Sequence, residues 1–379
     1  MTLCLGMIVK DEAHVIQSTL ENLCKYIKFD CWFISDTGSS DNTKEIIYEF
    51  FKERKIPGEL IQHPWVDFSF NRNQVIQYAS QKADYMLMFD ADDSIVGEFI
   101  LPPLTEDAYL LKFGQGLTYS RPSLFSLHKK WNYVGVLHEN LEPCTPEQRR
   151  AALVEGNYYI NSGRTGNRNK NPRKYQDDAA LLERAILTEK NSTLKERYMY
   201  YCGQSYRDCK DYENAIRMYK LYLETQGTPT EKFNSCIEIA RMCFDLNRFE
   251  EAQTYLCNTV LHDKERIEGI VMLMEKLHGQ KNHVMINALY HRFKGYNRRQ
   301  HHKTFFIPDL YDYILEAYNS VSAPVVGDFA SGYDCCKKVI MYSKNKNNVN
   351  TCLANLTSYK SLYDKDPAFK AYMESRPKQ

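Results

Sequence analysis

The chain has 379 residues, of which 43% are hydrophobic and 26% charged, and its formal net charge is +1. That length suits two domains, and that composition excludes a disordered chain. The near-zero charge excludes nucleic acid or an anionic membrane as a partner held mainly by electrostatics.

The chain opens on a short apolar run, residues 3–9, before Lys10-Asp11-Glu12. A secretion signal needs a basic start and a longer apolar stretch, so a buried strand is expected here instead. No window reaches the length of a membrane span. The twelve cysteines include no C-x-x-C pair, which argues against zinc ribbons and thioredoxin chemistry. Reduced thiols in a cytoplasmic protein are expected.

A helix over 12–26 follows, with Val15, Ile16, Leu20 and Leu23 on one face. Then come a strand at 30–35 and a helix at 41–51, capped by Ser39, Ser40 or Asp41. Pro57-Gly58 breaks the chain before a strand at 59–62, a helix at 70–83 and a strand at 85–89. Apolar strands alternating with helices predict a parallel sheet covered on both faces, with ligands bound at the strand C-terminal ends. After Asp93 the pattern changes to antiparallel strands at 107–113, 117–127, 131–137 and 153–160. Residues 161–173, rich in Asn, Gly and Arg, mark a boundary.

From Lys174 the sequence reads as helical almost to its end. Gly203, Tyr206, Ala215 and Tyr219 have the spacing of a tetratricopeptide unit, and Ala240, Cys243, Ala252 and Leu256 repeat it. Weaker helical pairs follow at 267–293 and 309–341. The expected division is 1–162 for an α/β domain, 163–178 for a basic linker or lid, 179–365 for helical repeats, and 366–379 for a frayed end.

Two segments carry chemistry. Phe89-Asp90-Ala91-Asp92-Asp93 places three carboxylates directly after an apolar strand, where like charges repel unless something positive neutralises them. A Mn²⁺ or Mg²⁺ ion bridging a diphosphate is the expected partner. Ser35-Asp36-Thr37-Gly38-Ser39-Ser40-Asp41 follows the second strand and offers a carboxylate, a tight turn and a helix N-terminus.

Together with Met7-Ile8-Val9-Lys10-Asp11-Glu12 and Phe70-Asn71-Arg72-Asn73, these segments resemble family-2 glycosyltransferases in order and spacing, in particular a branch joined to tetratricopeptide repeats. The resemblance implies a GT-A fold, Rossmann-like with a mixed sheet, and transfer with inversion from a nucleotide-diphosphate sugar, UDP being the family's usual nucleotide. Val9, Glu12, Asp36, Asp41, Arg72, Asp90 and Ala91 then fall at donor-binding positions, and Asp92 at that of the metal ligand. Two positions depart from the usual pattern: Asp11 stands for Asn, and Asp93 for Glu.

The segment from Arg121 to Asn140 resembles the family stretch that ends in Gly-Val-x-His-Glu. It implies His138 as a further metal ligand beside Asp90 and Asp92, and Glu139 as general base. Asp93 is the rival base, and His138 and Glu139 are open to an exchange of roles. Trp131 and Arg121 are expected at the sugar or acceptor. In the boundary segment, Arg164, Arg168, Lys170, Arg173 and Lys174 are expected to fold over the diphosphate. The repeat domain would present a protein or glycan acceptor. A nucleotidyltransferase would need a Gly-rich loop after the first strand, which residues 9–12 lack. Two further readings stay open: a non-catalytic repeat scaffold with a degenerate transferase domain, and an enzyme that only hydrolyses nucleotide sugars.

Overall fold

A computed structural model describes residues 1–115, 119–145, 150–295 and 308–376. Residues 117 and 118 of the strand expected at 117–127, and residues 377–379 of the expected frayed end, lie outside the described residues. The chain forms two compact units, Met1–Asp211 and Tyr212–Gln379.

The first unit begins with β1 (Leu3–Val9), α1 (Ile16–Tyr26), β2 (Cys31–Asp36), α2 (Thr43–Glu53), β3 (Gly58–Gln62), α3 (Phe68–Ala79) and β4 (Tyr85–Met88). It continues through β5 (Asp93–Gly97), β6 (Ala108–Phe113), β7 (Tyr119–Ser126), β8 (Trp131–Val134), β9 (Asn140–Pro143), β10 (Ala151–Leu153) and β11 (Tyr158–Ser162). Helices α4 (Lys174–Thr188) and α5 (Ser192–Asp208) complete it. The main sheet runs β3-β2-β1-β4-β7-β6-β11-β5, with β10 beside β6, and β8 and β9 form a separate hairpin. Strands β1 to β4 are parallel, while β7 runs antiparallel to both β4 and β6. This mixed sheet, parallel through β1 to β4 and with antiparallel pairs beyond them, has the order expected from the sequence.

Side chains alternate across a strand, so one strand feeds two cores. From β1, Leu3, Leu5, Met7 and Val9 join Ile16, Leu20 and Leu23 of α1 and Ile47, Phe50 and Phe51 of α2. Cys4 points the other way, with Val75, Ile76 and Ala79 of α3. The three- and four-residue spacing of those helix positions is what lays one apolar stripe on each sheet face. Trp32 of β2 stacks on Phe51 with centroids 4.6 Å apart.

Three strands were not expected: β5, β9 and β10, the last because the segment expected as one strand at 153–160 forms both β10 and β11. In β5 only Ile95 and Val96 are apolar, too short a run to stand out, yet it pairs antiparallel with β11 and sets Asp93 opposite Ser162. The second is β9, in the hairpin with β8. The boundary expected at residue 162 also moves to Asp211, because α5 is tied to the turn before β9. The Val136 amide donates to Tyr198 Oη at 3.1 Å, and Arg197 Nε donates to the His138 carbonyl at 2.8 Å.

The second unit is helical: α6 (Tyr212–Leu223), α7 (Pro229–Asp245), α8 (Phe249–His262), α9 (Glu268–Gly279), α10 (His283–Phe293), α11 (Ile314–Ser322), α12 (Phe329–Tyr342), α13 (Lys346–Asn355), α14 (Lys360–Tyr363) and α15 (Pro367–Ser375). Ala240, Cys243, Ala252 and Leu256 are fully buried where α7 packs on α8. The first expected repeat straddles the division, with Gly203 and Tyr206 in one unit and Ala215 and Tyr219 in the other. The frayed end expected from 366 is corrected by α15, which is capped by Asp366 and held by buried Phe369 against Tyr333 and Tyr363. No helix among the described residues is long and apolar enough to cross a membrane.

Candidate active site

The loops after β1 and β2 knit together. At the end of β2, Asp36 is buried and its Oδ1 accepts from the Gly38 and Ser39 amides at 2.8 and 2.7 Å. Asp11 accepts from the Ser40 amide at 2.7 Å. Asp41 accepts from Thr43 and from the Ala13 amide. Burial raises the Asp41 pKa, but those hydrogen bonds outweigh it and hold the carboxyl below its usual range. Asp36 and Asp41 therefore shape the loops, and Asp36 turns its carboxylate to backbone amides.

Beside these loops a cleft of about 550 Å³ opens at the C-terminal ends of β1 and β2. Val9, Glu12 and Thr37 form its floor, Trp65 and Phe68 an aromatic wall, and Asn167 and Arg168 its cover. The rings of Trp65 and Phe68 meet edge to face at 4.8 Å, and the Arg168 guanidinium lies 5.0 Å from the Phe68 centroid. Sequence reasoning missed Trp65 and Phe68. Their one signal was two aromatics within seven residues of Arg72, in a stretch between the expected strand at 59–62 and the expected helix at 70–83.

The acidic cluster is neutralised by arginines. Arg72 of α3 is buried and donates to Glu139 through Nη1 and to Asp90 Oδ1 through Nη2, the latter at 2.6 Å. Asp90 Oδ2 accepts from Arg121 at 3.2 Å, and the same Arg121 nitrogen lies 3.7 Å from Asp93 Oδ2. Burial disfavours the Asp90 charge, but Arg72 and then Arg121 overcome it and hold the carboxyl far below its ordinary range. Asp93 goes the other way. Burial, then the neighbouring Asp90, pushes it up to about 8, and its Oδ2 has no hydrogen-bond partner among the described residues.

Asp92 meets the basic segment. Its Oδ2 accepts from the Gly166 amide at 2.8 Å, and Glu12 accepts from the Asn167 amide at 3.1 Å. A Cβ on Gly163 would stand 2.2 Å from the Asp92 carbonyl oxygen, and one on Gly166 3.0 Å from Asp92 Oδ2. The chain can approach this closely only because both residues are glycine. Burial raises the Glu12 pKa, against the pull of the Asn167 amide and with the help of the Asp92 charge.

His138 has a left-handed backbone (φ 54°), and its ring stacks on Tyr201 at 3.9 Å. Although the residue is exposed at the surface, desolvation by its neighbours and the charges of Arg197, Arg168 and Lys174 all push its pKa down. It lines a second, smaller cleft with Arg164, Arg168, Lys174 and Arg207.

The expected ligand set of Asp90, Asp92 and His138 is not brought together. Among the described residues no three His, Cys, Asp or Glu side chains form a group able to hold an ion. Both Asp90 oxygens are given to guanidiniums, and His138 stands among cations. Asp92 is the one carboxylate of the set left to face an ion. Trp131 is corrected as well: it is buried in the second core, its indole donates to the Ser126 carbonyl at 2.8 Å, and it packs on Phe125. A sugar platform there would have to come from the core. Arg121 remains partly exposed over Phe113.

Residues 4–108 match the family model of glycosyl transferase family 2. The match lies wholly within the first unit. The matched stretch runs from β1 to the start of β6 and contains Glu12, Asp36, Arg72 and the Asp90–Asp93 cluster. Among solved structures, the chain is similar to S. aureus TarS at 13% identity and a TM-score of 0.33, over 69% of this chain and 53% of that one. It is similar to TarS 1-349 in complex with UDP-GlcNAc at 14% identity and a TM-score of 0.33, over 88% and 89%. A mannosyltransferase, PcManGT from Pyrobaculum calidifontis, in complex with GDP-Man and Mn²⁺, gives 11% and 0.33, over 69% and 86%. No curated protein matches the chain.

Proposed function

We propose that this chain transfers a sugar from a nucleotide-diphosphate donor, UDP-sugar first among candidates, to a hydroxyl on a glycan or protein, with inversion. The observation that carries this is the 550 Å³ cleft at the ends of β1 and β2, set within the family-2 domain beside the Asp90–Asp93 cluster. Val9, Glu12 and Thr37 would hold the nucleoside, with its base between them and the Trp65–Phe68 wall. Arg168, which lines this cleft, would meet the diphosphate.

The Gly166 and Asn167 amides now cap Asp92 and Glu12. A donor must displace them to reach those carboxylates, so the 163–170 loop opens on binding and closes over the diphosphate. Of the predicted metal ligands the chain presents Asp92 alone. A Mn²⁺ or Mg²⁺ ion would depend on the diphosphate for most of its oxygens, and its chemistry would be to neutralise the departing group.

Glu139 is the proposed base. It sits at the β8–β9 hairpin, only slightly exposed, and Arg72 fixes its carboxylate. Arg72 and Arg121 hold Asp90 ionised, so the pocket keeps a preorganised charge pattern around the reacting centre. The repeat helices would present the acceptor. The test is nucleotide release from a UDP- and GDP-sugar panel, with and without acceptor glycans, on the parent chain and on Glu139→Gln. Transfer should fall by about 100-fold or more in the variant while donor affinity holds. Full transfer by Glu139→Gln would remove Glu139 from the role.

A further inference from the structure

The smaller cleft, about 300 Å³, lies in the first unit between the turn before β9, the 164–175 segment and the faces of α4 and α5. We propose that it is the acceptor subsite of the transferase, and that it takes a sugar or polyol bearing a phosphate or carboxylate group. The proposal rests on the donor reading above and adds the acceptor's chemistry.

Charge makes the first argument. Arg164, Arg168, Lys174 and Arg207 line the cleft, against the carboxylates of Asp178 and Asp208. Arg168 is given to Asp178, and Arg207 lies 2.8 Å from Asp208. Those pairs leave two cations over: no carboxylate pairs with Arg164 or Lys174 among the described residues, and Lys174 reaches the neutral Asn169 Oδ1 at 2.5 Å. Burial and the neighbouring Arg168 both lower the Lys174 pKa, the response of a cation crowded by like charge. An anion placed there would relieve that crowding, and guanidiniums suit the oxygens of phosphate and carboxylate.

Position makes the second. The cleft shares the Arg168–Asp178 wall with the donor cleft, yet Glu12, Val9 and the aromatic pair line only the larger one. His138 lines the smaller cleft, and the next residue is Glu139, the proposed base. The cleft thus opens next to the turn that carries the proposed base. The neutral His138 ring stacked on Tyr201, with Tyr175 nearby, offers a flat wall for a sugar ring. A volume of this size takes one sugar residue with its charged group, such as the terminal residue of a glycan acceptor.

The test titrates the full chain, saturated with UDP, with glucose 6-phosphate, glucuronate, inorganic phosphate and uncharged glucose. It is repeated on Arg207→Glu and Gln204→Glu, residues that line the smaller cleft and not the donor cleft, with melting temperatures recorded. The charged sugars should bind the parent and glucose should not. Each variant should lose about tenfold or more of that affinity while UDP affinity stays within about twofold. Binding of phosphate alone, without preference for a charged sugar, marks an adventitious ion site and overturns the proposal. So does glucose binding as well as its phosphate, or charged sugars competing with UDP, which would give these cations to the donor's diphosphate. Loss of UDP binding with the charged sugars still held would sink the donor reading and leave the anion cleft standing.

Discussion

Glu139, Arg72, Asp90, Arg121 and Asp93 form one connected series of alternating charge. It explains why an acidic cluster at a strand end is tolerable before any ligand arrives: each carboxylate but the last is balanced by a guanidinium. Asp93, left over, is the one whose pKa rises, to about 8. The sign of its effect on stability follows. Between its ordinary value and about 8 the unfolded chain has lost the proton that the folded chain keeps, so Asp93 costs stability as pH rises through that window. The cost is at most about 1.4 kcal/mol per pH unit. Thermal unfolding of the parent and of Asp93→Asn from pH 4 to 9 should show the variant gaining steadily on the parent up to about pH 8. A constant difference would mean that Asp93 is ionised throughout. Asp36, Asp90 and Asp92 were legible because carboxylates directly after apolar strands stand out in any sequence. Their partners were not: the Asp90–Arg121 pair depends on β7 folding back antiparallel along β4, a pairing that local pattern does not record.

At the scale of elements, the segment after β11 is where the donor cleft and the acidic cluster meet. Its backbone passes so close to Asp92 that a methyl group on Gly163 forces it away. Gly163→Ala should weaken UDP affinity several-fold and raise protease cleavage within 163–170, with little change in melting temperature. Unchanged donor binding and cleavage would show that closure of this loop is not needed. The same contact bears on metal. Manganese, followed by calorimetry, should bind the nucleotide-free chain weakly and bind tightly only with UDP present, because Asp92 stands alone; tight binding without nucleotide would require ligands other than those seen here. Elements β1 to β4 were readable because their apolar runs and helical stripes are strong. Both β5 and β9 escaped, since strands with only one or two apolar positions are defined by their partners and not by their own residues.

Across the whole molecule, the α/β unit does not stop where the strands stop. Helices α4 and α5 belong to it, and Tyr198 and Arg197 of α5 hold the turn that carries His138 and Glu139. Composition placed the boundary at the Asn- and Gly-rich segment because a change from strands to helices looks like a change of domain. A chain ended after Asp211 should keep donor binding, and one ended after Ser162 should lose it together with cooperative melting. The account's central claim is that a nucleotide-diphosphate sugar occupies the cleft beside Asp92. Equilibrium binding of UDP, UDP-sugars and GDP-sugars in the presence of Mn²⁺, on the parent chain and on Asp92→Ala, tests it most directly. The parent should bind at least one of them in the micromolar range (Kd about 1–100 μM) and the variant about tenfold or more weakly. Equal binding by both proteins, or none by either, would contradict the account.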